Sequence, residues 1–333
     1  MAWAAGKQLQ NGRYTLESVL GQGRFGITYF ARDRNNTPVV IKIPNKDALM
    51  PEEFDRLQVV FVQEAHKLAR CRHPHIVKTG EPFKEDGIWC IPMEYIDGTT
   101  LDKRAEKQLP EAEALTYVRQ IGAALTEVHR NGFLHRDVRP ANIMVRRGKS
   151  EAVLIDFGLA RAFDHDLTIT RTREIATGFA PIELYSRHGD RGAYTDVYAL
   201  AATLYELLTG VVPTNAADRK AFNAKLSPPK DYNPRISDSV NKAILRGLTL
   251  EGENRPQMVD EWLVALGLPT TQETTQTLPS TPNPAGQTWN WATIWTAVGS
   301  LAAIIALLVA IPQCQPTQKT PQAPANTSPS GTP

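Results

Sequence analysis

Asp137 and Asn142 stand five residues apart in the run His135-Arg136-Asp137-Val138-Arg139-Pro140-Ala141-Asn142, and Asp156-Phe157-Gly158 begins fourteen residues after Asn142. Two carboxylates and an amide at this spacing suit metal-assisted phosphoryl transfer. One carboxylate orients an attacking hydroxyl; the other, with the amide oxygen, holds Mg²⁺ on a triphosphate. Upstream lies Gly21-Gln22-Gly23-Arg24-Phe25-Gly26, a G-x-G-x-x-G run. In a dinucleotide-binding fold it would open a helix. Here Ile27-Thr28-Tyr29-Phe30-Ala31 follows and favours a strand, so the glycines suit a hairpin lid whose backbone N–H groups fold over phosphates.

Lys42 closes the run Val39-Val40-Ile41-Lys42, and a lysine inside an apolar strand is costly to bury unless it is paired. The next stretch offers Glu64 in Gln63-Glu64-Ala65-His66-Lys67-Leu68-Ala69, while Glu52, Glu53 and Asp55 lie in a first helical turn where acids suit the dipole. In this order the motifs resemble the eukaryotic-like protein kinase family over roughly residues 14–267. The layout is similar to that of bacterial Hanks-type serine/threonine kinases with a C-terminal transmembrane helix.

The resemblance implies roles for particular residues. Asp137 is the base or hydroxyl-orienting carboxylate, and Arg139 stands where Ser/Thr kinases usually carry the lysine that steadies the transferred phosphoryl. Asn142 and Asp156 are the metal ligands. ATP is implied to lie among Gly21, Gly23, Gly26, Thr28, Val40, Lys42, Glu64, Glu94, Ile96 and Met144, with Lys42 paired to Glu64. Ile91-Pro92-Met93-Glu94-Tyr95-Ile96-Asp97-Gly98 resembles the hinge between lobes, with Met93 guarding the back pocket. Leu159 to Glu183 resembles the activation loop. A phosphate on Thr168, Thr170 or Thr172 would meet Arg136, and Thr172 has the family offset from Glu183. Glu183 is expected to pair with Arg255, and Asp196 to brace the catalytic-loop backbone.

Several positions depart from the family pattern: Thr28 for valine, Val40 for alanine, Arg139 for lysine, Ala176 for a threonine beside the catalytic aspartate, and Pro181-Ile182-Glu183 in place of Ala-Pro-Glu. Arginine is a larger planar fork and not a neutral replacement for lysine. A nucleotide-binding scaffold without turnover therefore remains the alternative to an active Ser/Thr kinase. A small-molecule phosphotransferase is disfavoured by the activation segment and the Glu183–Arg255 link.

The elements that must hold these residues follow from periodicity. Strands are expected over Tyr14–Leu20, Ile27–Arg32 and Val39–Ile43. Glu52–Cys71 is helix-like, with Leu57, Phe61, Glu64 and Leu68 along one face. Glu111–Asn131 carries Leu115, Val118, Ile121, Leu125 and Val128 at helical spacing before Gly132. Asp196–Thr209 is apolar nearly all round, as a helix buried on every side would be. Strands before helices suggest an α+β chain with a small β-rich lobe ahead of a mainly helical one. The resemblance makes this the bilobal protein-kinase fold, with an N-lobe of about 14–95 and a C-lobe of about 96–267.

The chain has 333 residues and a formal net charge of +2, and its lysines and arginines are dispersed among acids, so nothing marks it for nucleic acid. Cys71, Cys90 and Cys314 are odd in number and far apart, fitting neither a disulfide framework nor a metal site. Residues 268–290 are Thr/Pro-rich and read as a linker. Within 291–311, Ala292 to Ile311 is uncharged, and at ~1.5 Å per residue it matches a bilayer core of about 30 Å. Trp289, Trp291 and Trp295 mark its start. One transmembrane helix is expected, with a disordered Pro/Thr/Ser-rich tail over 312–333. ATP supply implies that the kinase domain lies in the cytoplasm, anchored to the plasma membrane. Small residues around Gly299-Ser300 leave a homodimer possible without a glycine at both ends of a small-xxx-small pattern.

Overall fold

Alternation of apolar and polar side chains over Tyr14–Gln22 (β2), Gly26–Asp33 (β3) and Pro38–Pro44 (β4) builds an antiparallel meander. Leu16, Ile27, Tyr29, Ala31, Ile41 and Ile43 point to one face and are buried there. The computed structural model describes residues 3–156, 178–186 and 189–268, which fall within one unit, Met1–Thr274. Two edge additions complete the first sheet. Gln8–Leu9 (β1) pairs with β2, and Phe83–Glu85 (β5) with Ile88–Glu94 (β6), giving the order β1-β2-β3-β4-β6-β5.

The folded unit therefore begins before Tyr14. Leu9 is fully buried, the Trp3 backbone N–H donates to the Tyr29 hydroxyl at 2.8 Å, and Lys7 lies over the Trp3 ring. No long apolar run announces this stretch, because two strand residues and one aromatic suffice to cap a sheet edge.

Pro51–Arg70 (α1) packs on that sheet through Phe54, Leu57, Phe61, Ala65 and Leu68, the face its periodicity predicts. Pro51 suits the first helical position, where its missing N–H costs nothing. Glu111–Arg130 (α2) and Ala193–Thr209 (α3) form the centre of the second lobe. Helix α3 buries 14 of its 17 residues, and Gly210 ends it in the left-handed conformation (φ 70°). Around it pack Asp238–Gly247 (α4) and Val259–Ala265 (α5), with Trp262 fully buried and its ring N–H donating to the Ala243 carbonyl at 2.8 Å.

A second, three-stranded sheet joins Gly98–Thr100 (β7), Ile143–Arg146 (β8) and Ala152–Leu154 (β9). It follows the hinge segment and carries the catalytic-loop residues into the gap between the lobes. Among the described residues no helix is long and apolar enough to cross a membrane. The expected linker, span and tail lie outside the described residues, as do Cys314, Phe157, Gly158, the loop threonines Thr168, Thr170 and Thr172, Arg171, Arg173, Ala176 and Thr177.

Candidate active site

The gap between lobes gathers Lys42, Asp137, Asn142 and Asp156. Lys42 reaches it from β4, where it faces Thr28 of β3 and Ile91 of β6. Its Nζ lies 2.5 Å from Asp156 Oδ1, so a cation and a carboxylate 114 residues apart meet. Asp156 comes just after β9, and its side chain is more open to solvent than that of Lys42.

The expected Lys42–Glu64 pair is not formed here. Glu64 instead accepts from Lys67 at 2.6 Å, an i,i+3 pair on α1. On a helix surface a cation three residues away is always within reach, whereas Lys42 belongs to another element and already has Asp156. Lys67 and Arg70 also lie over the Phe133 ring, which anchors this end of the helix.

The catalytic loop is held from beneath. Asp196, at the start of α3 and fully buried, accepts the backbone N–H groups of His135 at 2.9 Å and Arg136 at 2.7 Å. His129 Nε2 is 2.7 Å from the same carboxylate. Burial alone would raise the Asp196 pKa, but the His129 hydrogen bond and charge, with His135, hold it below the ordinary carboxylate value. Arg136 sits at φ 65°, a conformation that costs a non-glycine residue energy, and the Asp196 clamp on its N–H keeps it there. The loop chain then turns so that the Asp137 N–H donates to His135 Nδ1 at 3.2 Å.

Asn142 closes a single turn, Pro140–Asn142, and its Nδ2 donates to both the Asp137 carbonyl (2.7 Å) and Asp137 Oδ2 (2.8 Å). With Nδ2 so directed, the amide oxygen is the atom left to face a cation. Asp156 adds a carboxylate whose Oδ2 is not used by Lys42. One amide oxygen and one carboxylate, completed by phosphate and water oxygens, fit the hard, oxygen-only preference of Mg²⁺. Among the described residues no cluster of three His, Cys, Asp or Glu side chains could hold a metal without such help.

Arg139 stacks over Phe179 (5.9 Å to the ring centroid) and buries an Nε–H that has no acceptor among the described residues. Glycines of the lid form a hairpin: Gly21 faces Thr28, and the Gly23 N–H donates to the Gly26 carbonyl at 2.9 Å. A Cβ on Gly26 would come 3.2 Å from the Ile43 carbonyl oxygen and 3.6 Å from Lys42 Cε, so a side chain there would crowd the lysine. Val40 faces Met93 across the β4–β6 ladder. The Glu94 N–H donates to the Lys78 carbonyl at 2.8 Å, and its side chain pairs with Arg146 at 2.6 Å. Ile96 and Met144 share one apolar cluster with Met93 and Val153 at the base of the gap.

Four contributors had no motif to announce them. Asn45 ties the lid to β4 by donating from Nδ2 to the Gly23 carbonyl at 2.6 Å, while its N–H donates to the Phe25 carbonyl. His129, partly buried, is the side-chain partner of Asp196, and Thr195 donates to Glu183 at 3.0 Å. Arg191, two residues before α3, donates from Nη2 to the Ser186 carbonyl at 2.8 Å. An asparagine or histidine signals such a role only once its neighbours are known.

The expected Glu183–Arg255 link is present and bidentate: Nη1 to Oε1 at 2.7 Å and Nη2 to Oε2 at 2.9 Å. A match to the protein kinase domain model spans residues 14–259. The chain belongs to the protein kinase domain family. It is 32% identical over 268 residues to the serine/threonine-protein kinase PrkC of Bacillus subtilis, covering 77% of this chain and 40% of that protein. To PknB of Mycobacterium leprae it is 33% identical over 263 residues, covering 75% and 42%. The chain thus spans about two-fifths of the length of these curated relatives. Among solved structures, the apo form of PpkA-294 superposes with a TM-score of 0.68 at 28% identity, covering 80% of this chain and 99% of that one. The PknI kinase domain of Mycobacterium tuberculosis superposes at 0.61 and 27% identity, covering 80% and 99%.

Proposed function

We propose that this kinase domain transfers the γ-phosphoryl group of ATP to serine and threonine hydroxyls of proteins, its own activation loop among them. The observation that carries the reading is the convergence of Asp137, Asn142, Asp156 and Lys42 on one gap, inside a chain related to Ser/Thr kinases. Asp137 would accept the hydroxyl proton, held in place by the Asn142 amide and, through the loop backbone, by Asp196. Asn142 and Asp156 would hold Mg²⁺, which on binding supplies charge neutralisation of the phosphates. Lys42 would orient the phosphates and Arg139 would steady the transferred group. Gly21, Gly23, Gly26, Thr28 and Val40 would cover the nucleotide, and Glu94, Ile96 and Met144 would frame the base.

The Lys42–Asp156 and Glu64–Lys67 pairs describe a resting arrangement, and turnover requires Lys42 to exchange Asp156 for Glu64. A phosphate on Thr172 or its neighbours would act near Arg136. The apolar stretch 292–311 would tether the domain to the cytoplasmic face of the plasma membrane.

The test is incubation of the full chain with Mg²⁺ and γ-labelled ATP, beside Asp137→Asn and Asp156→Ala controls, with phosphosites mapped. Label on threonine or serine that vanishes in both controls supports the reading. Nucleotide binding without label would instead support a scaffold without turnover.

A further inference from the structure

Strand β4 carries Lys42 into the gap and ends at Pro44. The next residue, Asn45, is 3% exposed, and its amide is used at both ends. Oδ1 accepts the Asp47 N–H at 3.2 Å and so caps the short turn Lys46–Ala48. Nδ2 donates to the Gly23 carbonyl of the lid at 2.6 Å, and the Asn45 backbone N–H donates to the Phe25 carbonyl at 3.2 Å. Exchanging Oδ1 and Nδ2 would set oxygen against oxygen at Gly23 and N–H against N–H at Asp47, so the amide has one orientation. Capping alone does not require asparagine, because serine or aspartate accepts an N–H equally well at such a position. A planar amide presents an acceptor and a donor in different directions, which is what holding the turn and the lid at once demands.

These contacts fix which way the lid's peptide groups face. In a trans peptide the C=O and N–H point in opposite directions. With the Gly23 and Phe25 carbonyls both turned to Asn45, the N–H groups of Arg24 and Gly26 are turned away from it. The Gly23 N–H closes the same hairpin on the Gly26 carbonyl at 2.9 Å. The lid also adjoins the lysine, since a Cβ on Gly26 would stand 3.6 Å from Lys42 Cε. Asn45 follows Lys42 by three residues, about 10 Å of strand at the usual rise. One short piece of chain, 42–45, therefore sets both the cation and the N–H groups that a polyphosphate would meet. Glycines give an untied lid many other conformations, and each of them loses this arrangement.

We propose that Asn45 is a positioning residue for the nucleotide: it latches the glycine lid to the end of β4 and thereby sets the affinity for the polyphosphate chain rather than for the nucleoside. This role rests on the phosphotransfer reading, which makes the lid a cover for phosphates. The two ends of the ligand meet different elements. Glu94, Ile96 and Met144, which frame the base in that reading, lie on β6, the hinge and β8, whereas the side-chain contacts of Asn45 are to the lid and to its own turn. Releasing the lid weakens the hold on the β- and γ-phosphates and leaves the nucleoside end as it was. An unlatched lid must be ordered at each binding event, and that entropy loss falls on the phosphates' share of the affinity.

The experiment is calorimetric titration of the full chain at pH 8 with adenosine and with a non-hydrolysable ATP analogue in the presence of Mg²⁺. Asn45→Ser keeps a capping oxygen but is too short to reach Gly23. Asn45→Asp keeps the cap as well and, when ionised, sets an acceptor against the Gly23 carbonyl. Both variants should bind the analogue about three- to tenfold more weakly, the worth of one hydrogen bond, and should bind adenosine as the wild type does. Unchanged affinity for the analogue in both variants would overturn the latch. Equal losses for adenosine and analogue would overturn it too, since a general loosening of the lobe treats both ligands alike. Hydrogen exchange over residues 21–26 without nucleotide gives a reading free of any ligand. It should be faster in both variants than in the wild type, and unchanged exchange would overturn the tie to β4. A wild-type chain that binds neither ligand would sink the phosphotransfer reading and the positioning role with it. A wild type that binds both, beside variants that bind equally well, would sink the positioning role alone.

Discussion

Replacing Arg255 by methionine tests how the second lobe is held together. Arg255 is 2% exposed, and its guanidinium satisfies five acceptors: both oxygens of Glu183, the Thr249 and Leu250 carbonyls at 2.6 Å each, and the Tyr194 carbonyl at 3.3 Å. It also lies 5.0 Å from the Tyr198 ring centroid. Methionine fills similar volume but leaves Glu183, 9% exposed, with the Thr195 hydroxyl as its remaining side-chain hydrogen-bond partner among the described residues. Removing one partner of a buried pair costs about 3–5 kcal/mol, because the other charge is left uncompensated. For a unit of this size, each kcal/mol lowers the melting temperature by about 2–4 °C, so Arg255→Met should melt roughly 6–20 °C lower. The assay is urea and thermal unfolding of residues 1–274, followed by tryptophan fluorescence, to which Trp3, Trp89 and the buried Trp262 contribute. In the double variant Glu183→Gln/Arg255→Met the loss should be smaller than the sum of the single losses. A loss below about 1 kcal/mol, typical of an exposed ion pair, would refute the reasoning, as would strict additivity of the two substitutions.

Asp196 contributes a pH dependence with a definite sign. Its folded pKa lies below the ordinary carboxylate value, so its stabilisation is complete above about pH 4 and is lost as pH falls through the folded pKa. Asp196→Asn should therefore cost about 1.5–3 kcal/mol at neutral pH. The gap to wild type should narrow on acidification below pH ~4; a gap that is constant with pH would contradict the assignment. Cys90 is fully buried and its thiol is pushed up to about 12, and burial raises Cys71 as well. At pH 8 the Cys90 thiolate fraction is then on the order of 10⁻⁴. Mass spectrometry after iodoacetamide should find both unlabelled until urea unfolds the domain. In Gly247→Ala the new methyl would meet Ala201 Cβ at 2.6 Å and Trp262 Nε1 at 2.9 Å, all within packed core. That overpacking should cost about 1–3 kcal/mol, read as a lower urea midpoint at unchanged slope; an unchanged midpoint would mean that α3 and α4 yield more easily than their packing suggests.

Local chemistry made most of the framework readable from the chain alone. The β2–β4 strands, α1, α2 and α3 announce themselves because burial of one face imposes a period of two or about 3.6 residues. Positions that must carry a carboxylate or an amide, such as Asp137 and Asn142, are legible for a similar reason: their spacing is set within one loop. Short additions were not. The strand Gln8–Leu9 and the Trp3–Tyr29 contact lie before the expected boundary at Tyr14, and two residues carry no period.

What only the tertiary structure decided is which charge meets which. Lys42 had two acids on offer, Glu64 on α1 and Asp156 after β9, and residue types say nothing of the distance between two elements. The fold places Asp156 against it and leaves Glu64 to Lys67 on its own helix. Likewise Arg136 and Arg191, 55 positions apart, face one cavity, and Asp196 answers to His129 and the backbone of a loop 60 residues away. Periodicity and motif spacing are properties of neighbours along the chain. Ion pairing falls off within a few ångströms, so it is settled only when packing brings distant segments to their final separation.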